Sequence, residues 1–204
     1  PGEYRVVEVL SAGWFPTEPG DGAHDYVNLR CGEPMEGLDF LNCRYGSICG
    51  VKYLDMNQNG AMDEGEEGLD GVTIKLNGGA YTAVTAGGGR FCFKDLVPGT
   101  YVVAVDESTA PGYYPTGPVS IVVDLEPGES EEVFFGNAPY GSISGKKWLD
   151  ADADGVWGES ETVVISGVTI KLYEGDPPAE LIGTAVTGED GAYSFTGLKP
   201  GAYT

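Results

Sequence analysis

Two stretches of this chain place oxygen-bearing side chains at alternate positions, a spacing suited to wrapping a hard cation. In DMNQNGAMDEGE, Asp55, Asn57 and Asn59 take the first, third and fifth places of a twelve-residue calcium loop, with Gly60 at its sharp turn. Ala61 falls where a backbone carbonyl is needed, Asp63 at the ninth place and Glu66 at the twelfth. DADADGVWGESE repeats the pattern with Asp150, Asp152, Asp154, Gly155, Val156 and Glu161, and Gly158 at the ninth place leaves that ligand to water. Calcium is the expected cofactor, because carboxylate and amide oxygens match it, whereas zinc or copper would call for the His and Cys that both loops lack. The plainer alternative is a pair of acidic, Gly-rich turns between strands.

Such a loop works only if rigid elements hold its ends, and internal repetition identifies them. Gly46 to Leu76 realigns on Gly141 to Leu172, which brings Asp55 onto Asp150. RFCFKDLVPGTY at Arg90 to Tyr101 matches AYSFTGLKPGAY at Ala192 to Tyr203, and PGEY at Pro1 to Tyr4 matches PGTY at Pro98 to Tyr101. Phe40 and Asn42 align with Phe135 and Asn137. The expected organisation is the C-terminal half of one repeat at 1–45, a complete repeat at 46–140 and the N-terminal part of a third at 141–204. Val72, Ile74 and Leu76 alternate with Thr73 and Lys75, the period of a half-buried strand, and Val168, Ile170 and Leu172 do the same. Short strands between Gly, Pro and Asp clusters predict an all-β fold of tandem antiparallel β-sandwich repeats, immunoglobulin- or prealbumin-like, with roughly seven strands each. An EF-hand-like calcium loop follows the first strand of each repeat.

Lys and Arg total 11 against 32 Asp and Glu, a formal charge of -21 that argues against nucleic acid or an anionic membrane surface as partner. Cations are the natural counter-partners, and metal binding should be coupled to folding. No stretch approaches the length of a membrane helix, so no membrane insertion is expected in this segment. No Gly-x-Ser-x-Gly, phosphate loop or Cys/His dyad is present, and the lone His24 reads as a surface residue, so no enzyme is expected.

Among the four cysteines, Cys49 aligns with Ser144 and Cys92 with Ser194, so both are replaced together, as expected of bonded partners. Cys31 and Cys43 flank the last strand of the first half-repeat and form the second expected pair. An even count without C-x-x-C favours disulfides in an oxidising compartment over a zinc site, with buried free thiols as the alternative.

Taken together, these elements resemble the B-type repeats of serine-aspartate-repeat surface adhesins, relatives of the collagen-adhesin B domains. The likeness covers nearly the whole chain. It rests on the G-S-I-x-G-x-K opening, the G-V-T-I-K-L strand, the aromatic-x-F-x-x-L-x-P-G-x-Y turn, the steps at Gly13-Trp14 and Gly112-Tyr113, and the closing F-x-N. ESETVVISGV in the third repeat departs from the family pattern. The resemblance implies an extracellular, calcium-stabilised module of a cell-surface stalk, fibre or filament, joined head-to-tail to adjacent repeats or copies of itself. Collagen-adhesin B domains can carry a Lys to Asn isopeptide bond, and Lys52 and Asn137 have that spacing. The sequence points to no carboxylate placed to manage its protons. Without one, Lys52 and Lys147 are solvated strand lysines, and Asn42 and Asn137 close the last strand through turn hydrogen bonds. The alternative function is an adhesin module in which Trp14, Phe15, Tyr113, Tyr114, Trp148 and Trp157 form an exposed platform for a glycan or protein ligand. A further alternative is an accessory domain of a large secreted enzyme.

Overall fold

Glycine and proline interrupt the chain every few residues, and its regular elements are short strands. The computed structural model describes residues 2–159, 161–175 and 180–204, so Pro1 of the first PGEY motif lies outside the described residues. Two compact units are present, Pro1–Pro111 with Pro115–Asn137, and Gly112–Tyr114 with Ala138–Thr204.

The N-terminal part of the first unit holds β1 (Gly2–Val7), β2 (Trp14–Glu18), β3 (Ala23–Leu29) and β4 (Leu41–Arg44), paired antiparallel as β1 with β3 and β2 with β4. The middle repeat follows with β5 (Gly46–Leu54), β6 (Thr73–Leu76), β7 (Tyr81–Val84) and β8 (Arg90–Leu96). It continues with β9 (Gly99–Val105), β10 (Tyr113–Pro115), β11 (Ser120–Leu125) and β12 (Ser130–Pro139). These form two four-stranded sheets, in the orders β10-β12-β5-β8 and β11-β9-β6-β7. Ile48, Phe91, Phe93 and Phe135 from one sheet and Ile74, Leu76, Val103 and Val123 from the other share a single core, which makes the repeat a sandwich. On β6, Ile74 and Leu76 are buried while Thr73 and Lys75 are not, as the period of two requires.

Two expectations change here. The sandwich has eight strands, and it is not wholly antiparallel: β12 pairs parallel to β5 from Ser130 opposite Ser47 to Asn137 opposite Leu54. A parallel pair needs a long connection, and the six strands between them supply it, returning the last strand beside the first in the same direction. Flanked by β12 and β8, β5 is buried nearly throughout, Lys52 included.

The flanking segments reproduce parts of this repeat in the same register. Gly2 faces Leu29 and Tyr4 faces Val27 across β1 and β3, as Gly99 faces Leu125 and Tyr101 faces Val123 across β9 and β11. In the second unit, β13 (Gly141–Lys146), β14 (Thr169–Glu174), β15 (Glu180–Val186) and β16 (Ala192–Leu198) pair as β13 with β16 and β14 with β15. Ser144 faces Ser194 there, as Cys49 faces Cys92.

Cys49 and Cys92 are disulfide-bonded across β5 and β8. Cys31 and Cys43 are free thiols, which corrects the second expected pair. The reason is topological: Cys31 is exposed just after β3, which pairs with β1, whereas Cys43 lies on β4 in a different two-stranded sheet.

One polar clip recurs and was not foreseen. Buried Thr85 donates its hydroxyl to Leu69 O at 2.7 Å and accepts from Val72 N at 2.9 Å, and Thr187 does the same with Ile165 O and Val168 N. Each clip fastens the segment that leaves the acidic loop to the strand hairpin beyond it. Thr85→Val keeps the shape but strands both backbone groups, and it should cost about 1 to 3 kcal/mol in urea denaturation. A change within error would show that the backbone relaxes to other partners.

Candidate functional site

The two acidic loops share most of one hydrogen-bond pattern. Asp55 Oδ2 accepts from Gly60 N at 2.9 Å and Asp150 Oδ2 from Gly155 N at 3.0 Å. Asn57 Oδ1 accepts from Asn59 N and Asp152 Oδ1 from Asp154 N. Asn59 Oδ1 accepts from Ala61 N and Asp154 Oδ1 from Val156 N, both at 2.8 Å. Glu66 closes its loop on Met56 N and Asp63 N, as Glu161 does on Ala151 N and Gly158 N. Gly60 and Gly155 have φ of 76° and 78°, a left-handed turn that favours glycine.

The loops differ in how their charge is held. In the first, Asp63 Oδ2 accepts from Asn57 Nδ2 at 2.8 Å and Asn59 Nδ2 at 2.7 Å. Burial alone would raise the fully buried Asp55 carboxyl, but the Thr116 hydroxyl and the backbone N–H groups of Gly60, Gln58 and Asn59 hold it below the ordinary aspartate value. In the second, Asp150, Asp152 and Asp154 each bring a carboxylate oxygen within 4.8 Å of the others, and Asp150 Oδ1 is buried without a hydrogen-bond partner. That donor set, all oxygen with one buried acceptor unsatisfied, suits a hard divalent cation.

Beside the first loop lies a second cluster, which sequence reasoning found only in part. Lys52 and Asn137 are 1% and 0% exposed, so Lys52 is not the solvated strand lysine of the alternative reading. Lys52 Nζ donates to Asn137 Oδ1 at 2.5 Å, and Asn137 Nδ2 donates to Glu107 Oε2 at 2.9 Å. Glu107 Oε1 is buried, without a hydrogen-bond partner, 3.9 Å from Lys52 Nζ. Burial brings the Lys52 amine down to about 8, and the Glu107 charge only partly offsets it. An amine that gives up its proton more readily than usual, a carboxamide and a carboxyl therefore converge at one place. Glu107 was missed because it sits on the short 3-10 turn Glu107–Thr109, remote in sequence from both partners. The loop and the cluster are tied together, since Asp55 N donates to Asn137 O at 2.9 Å.

The aromatic residues of the alternative platform lie in separate contacts, with Trp14 and Trp157 exposed. Phe15 packs tilted against Tyr45 at 4.7 Å and Tyr114 against Tyr140 at 5.1 Å, Trp148 stacks on Trp157 at 5.5 Å, and Arg44 lies over Trp14. His24 is half-buried, bonding Asp39 O through Nε2 and meeting Phe40 edge-on, which ties the long β3 to β4 connection to β3. In the third repeat Asp190 accepts from Ala192 N in a turn.

The family described as SdrD B-like domain matches residues 46–120 and 141–204. Serine-aspartate repeat-containing protein D of Staphylococcus aureus (strain Newman) is 33% identical over 231 residues, covering 99% of this chain and 17% of that protein. Serine-aspartate repeat-containing protein F of Staphylococcus epidermidis is 32% identical over 229 residues, covering 99% of this chain and 14% of that protein. The chain thus spans less than a fifth of the length of these relatives. Among solved structures, the streptococcal ancillary pilin is 19% identical, covering 78% of this chain and 52% of that one, with a TM-score of 0.44.

Proposed function

The chain belongs to the SdrD B-like domain family, a non-enzymatic family of the extracellular cell surface, and on that premise we propose that it is a calcium-stiffened, covalently locked segment of a surface stalk. The observation that carries the calcium reading is the Asp150 loop, where three aspartate oxygens crowd within 4.8 Å and Asp150 Oδ1 is buried and unsatisfied. Asp150, Asp152, Asp154 and Glu161 would hold one ion, and Asp55, Asn57, Asn59, Asp63 and Glu66 the other. Bound calcium cancels the clustered carboxylate charge and so fixes each loop between its strands. Calorimetric titration should find two ions per chain at a Kd of about 10⁻⁴ to 10⁻³ M, and one in Asp150→Ala. Two ions on the variant, or none on the parent chain, would reject the assignment.

The lock is an amide between Lys52 and Asn137. Proton transfer from the Lys52 ammonium to Glu107 turns a buried ion pair into two neutral groups, which an apolar site favours. The free amine attacks Asn137 Cγ, Glu107 hands its proton to Nδ2 as the Cγ–Nδ2 bond breaks, the nitrogen leaves as ammonia, and Glu107 keeps the second proton that the attacking amine sheds. Pulling force on the chain then meets a covalent link between the first and last strands of the repeat.

A further inference from the structure

Asparagine followed by glycine occurs twice in this chain, at Asn59-Gly60 and Asn77-Gly78, and all four residues are exposed. Such a step can close on itself, because glycine has no side chain to obstruct attack by its backbone nitrogen on the preceding carboxamide carbon. What decides between the two is where the fold points that carboxamide. Asn59 Oδ1 accepts from Ala61 N at 2.8 Å, and Asn59 Nδ2 donates to Asp63 Oδ2 at 2.7 Å. The ring closed by the first bond contains both Asn59 Cγ and Gly60 N, so the side chain is folded over the peptide that attacks it. Gly60 N donates to Asp55 Oδ2 at 2.9 Å, which polarises its N–H bond. Ala61 N stands where negative charge develops on Oδ1 during that attack.

Two other asparagines separate the parts of this arrangement. Asn57 has the same geometry, its Oδ1 accepting from Asn59 N at 3.0 Å, but Gln58 follows it and carries a side chain beside the attacking nitrogen. Asn77 has the right successor and a different geometry. Its Oδ1 accepts from Val102 N of β9 at 2.9 Å, 25 residues away, which holds the carboxamide toward the neighbouring strand and not over Gly78. Asp154 shows the form a product would take: at the same place in the second loop, its Oδ1 accepts from Val156 N at 2.8 Å, as Asn59 Oδ1 does from Ala61 N. An aspartate at 59 therefore fits the turn as it stands, and it replaces the Asn59 bond to Asp63 with a second carboxylate beside it.

We propose that Asn59 is a site of spontaneous deamidation, promoted by the fold of the first acidic loop. Gly60 N gives its proton to hydroxide and attacks Asn59 Cγ. The Cγ–Nδ2 bond breaks, the departing nitrogen takes a proton from water and leaves as ammonia, and hydroxide is regenerated. A five-membered imide remains. Water opens it at Cγ to give aspartate, or at the Asn59 backbone carbonyl carbon to give isoaspartate, so that one water is consumed for each ammonia released. The aspartate product adds one negative charge at a proposed ligand position and brings the first loop closer to the donor set of the second. Its bearing on calcium rests on the reading given above, whereas the reaction itself does not.

The 204-residue chain is aged in mildly alkaline buffer with chelator, either folded or in concentrated urea, and sampled by peptide mapping with tandem mass spectrometry. In the folded chain Asn59 should convert to aspartate and isoaspartate about 10-fold or more faster than Asn77, with Asn57 intact. In urea the two Asn-Gly steps should converge, since only the fold distinguishes them. Gln58→Gly supplies the missing successor to Asn57 and should make that residue reactive in the folded chain. The φ of 60° at Gln58 suits glycine, so this variant keeps the turn, and circular dichroism checks it. Equal rates at Asn59 and Asn77 in the folded chain, an Asn59 that stays intact or reacts more slowly than Asn77, or an Asn57 that survives Gln58→Gly, would each overturn the proposal. The expected pattern in a chain that binds no calcium supports it and overturns the calcium reading alone.

Discussion

Replacing Glu107 by alanine is expected to leave the middle repeat without its internal amide and to lower its stability by about 4 to 5 kcal/mol. The magnitude follows from the loop that the link closes. Lys52 and Asn137 are 85 residues apart in sequence, and a cross-link of that span removes a large share of the unfolded chain's freedom. Intact mass decides the chemistry: the parent chain should be one ammonia lighter than its sequence, and Glu107→Ala should regain it. A parent chain of full mass, allowing for the disulfide, would rule the amide out. Asn137→Ala adds a dependence on pH, because Lys52 then stays a buried amine. Its folded value of about 8 lies below the ordinary 10.5, so the fold disfavours the charged form. The resulting penalty is complete at low pH and lifts as pH rises from about 8 to 10.5, a gain of about 3 kcal/mol. Urea denaturation across that window should show stability climbing with pH, and Asn137→Ala combined with Lys52→Met should flatten the curve.

Chelation should destabilise the second unit more than the first. The Asp150 loop carries the carboxylates of Asp150, Asp152, Asp154 and Glu161, and its three aspartates crowd together with Asp150 Oδ1 unsatisfied. The Asp55 loop carries fewer, and its Asn57 and Asn59 amides already donate to Asp63, so it is better satisfied without an ion. Calcium at one hundred times its Kd contributes about 2.7 kcal/mol per site, which chelator removes. In a melting curve followed by a probe in each unit, the transition of 138–204 should therefore fall further than that of the middle repeat. Asp152→Asn with Asp154→Asn, which imports the first loop's amides, should raise the chelated melting temperature of the second unit. Equal shifts in both units, or no gain from the two substitutions, would show that charge crowding is not what the ion relieves.

The sequence by itself determined whatever is local or repeated. The turn of both acidic loops is legible because a loop's geometry is set by residues a few places apart, and the two loops share most of their hydrogen bonds. The Cys49 and Cys92 pairing is legible because the third repeat replaces both positions at once with Ser144 and Ser194, which face each other as the cysteines do. Tertiary structure alone decided the rest. Lys52 alternates with apolar neighbours like any solvated strand lysine, and only the flanking of β5 by β12 and β8 buries it. Glu107 joins Lys52 and Asn137 across separate elements, and Cys31 and Cys43 fall in separate sheets, facts of topology that no local pattern encodes. The contact of Asn42 with Glu8, 34 residues away in sequence, belongs to the same class. A buried atom without a partner can be recognised only once the chain has folded around it, because in the unfolded chain water satisfies every such group.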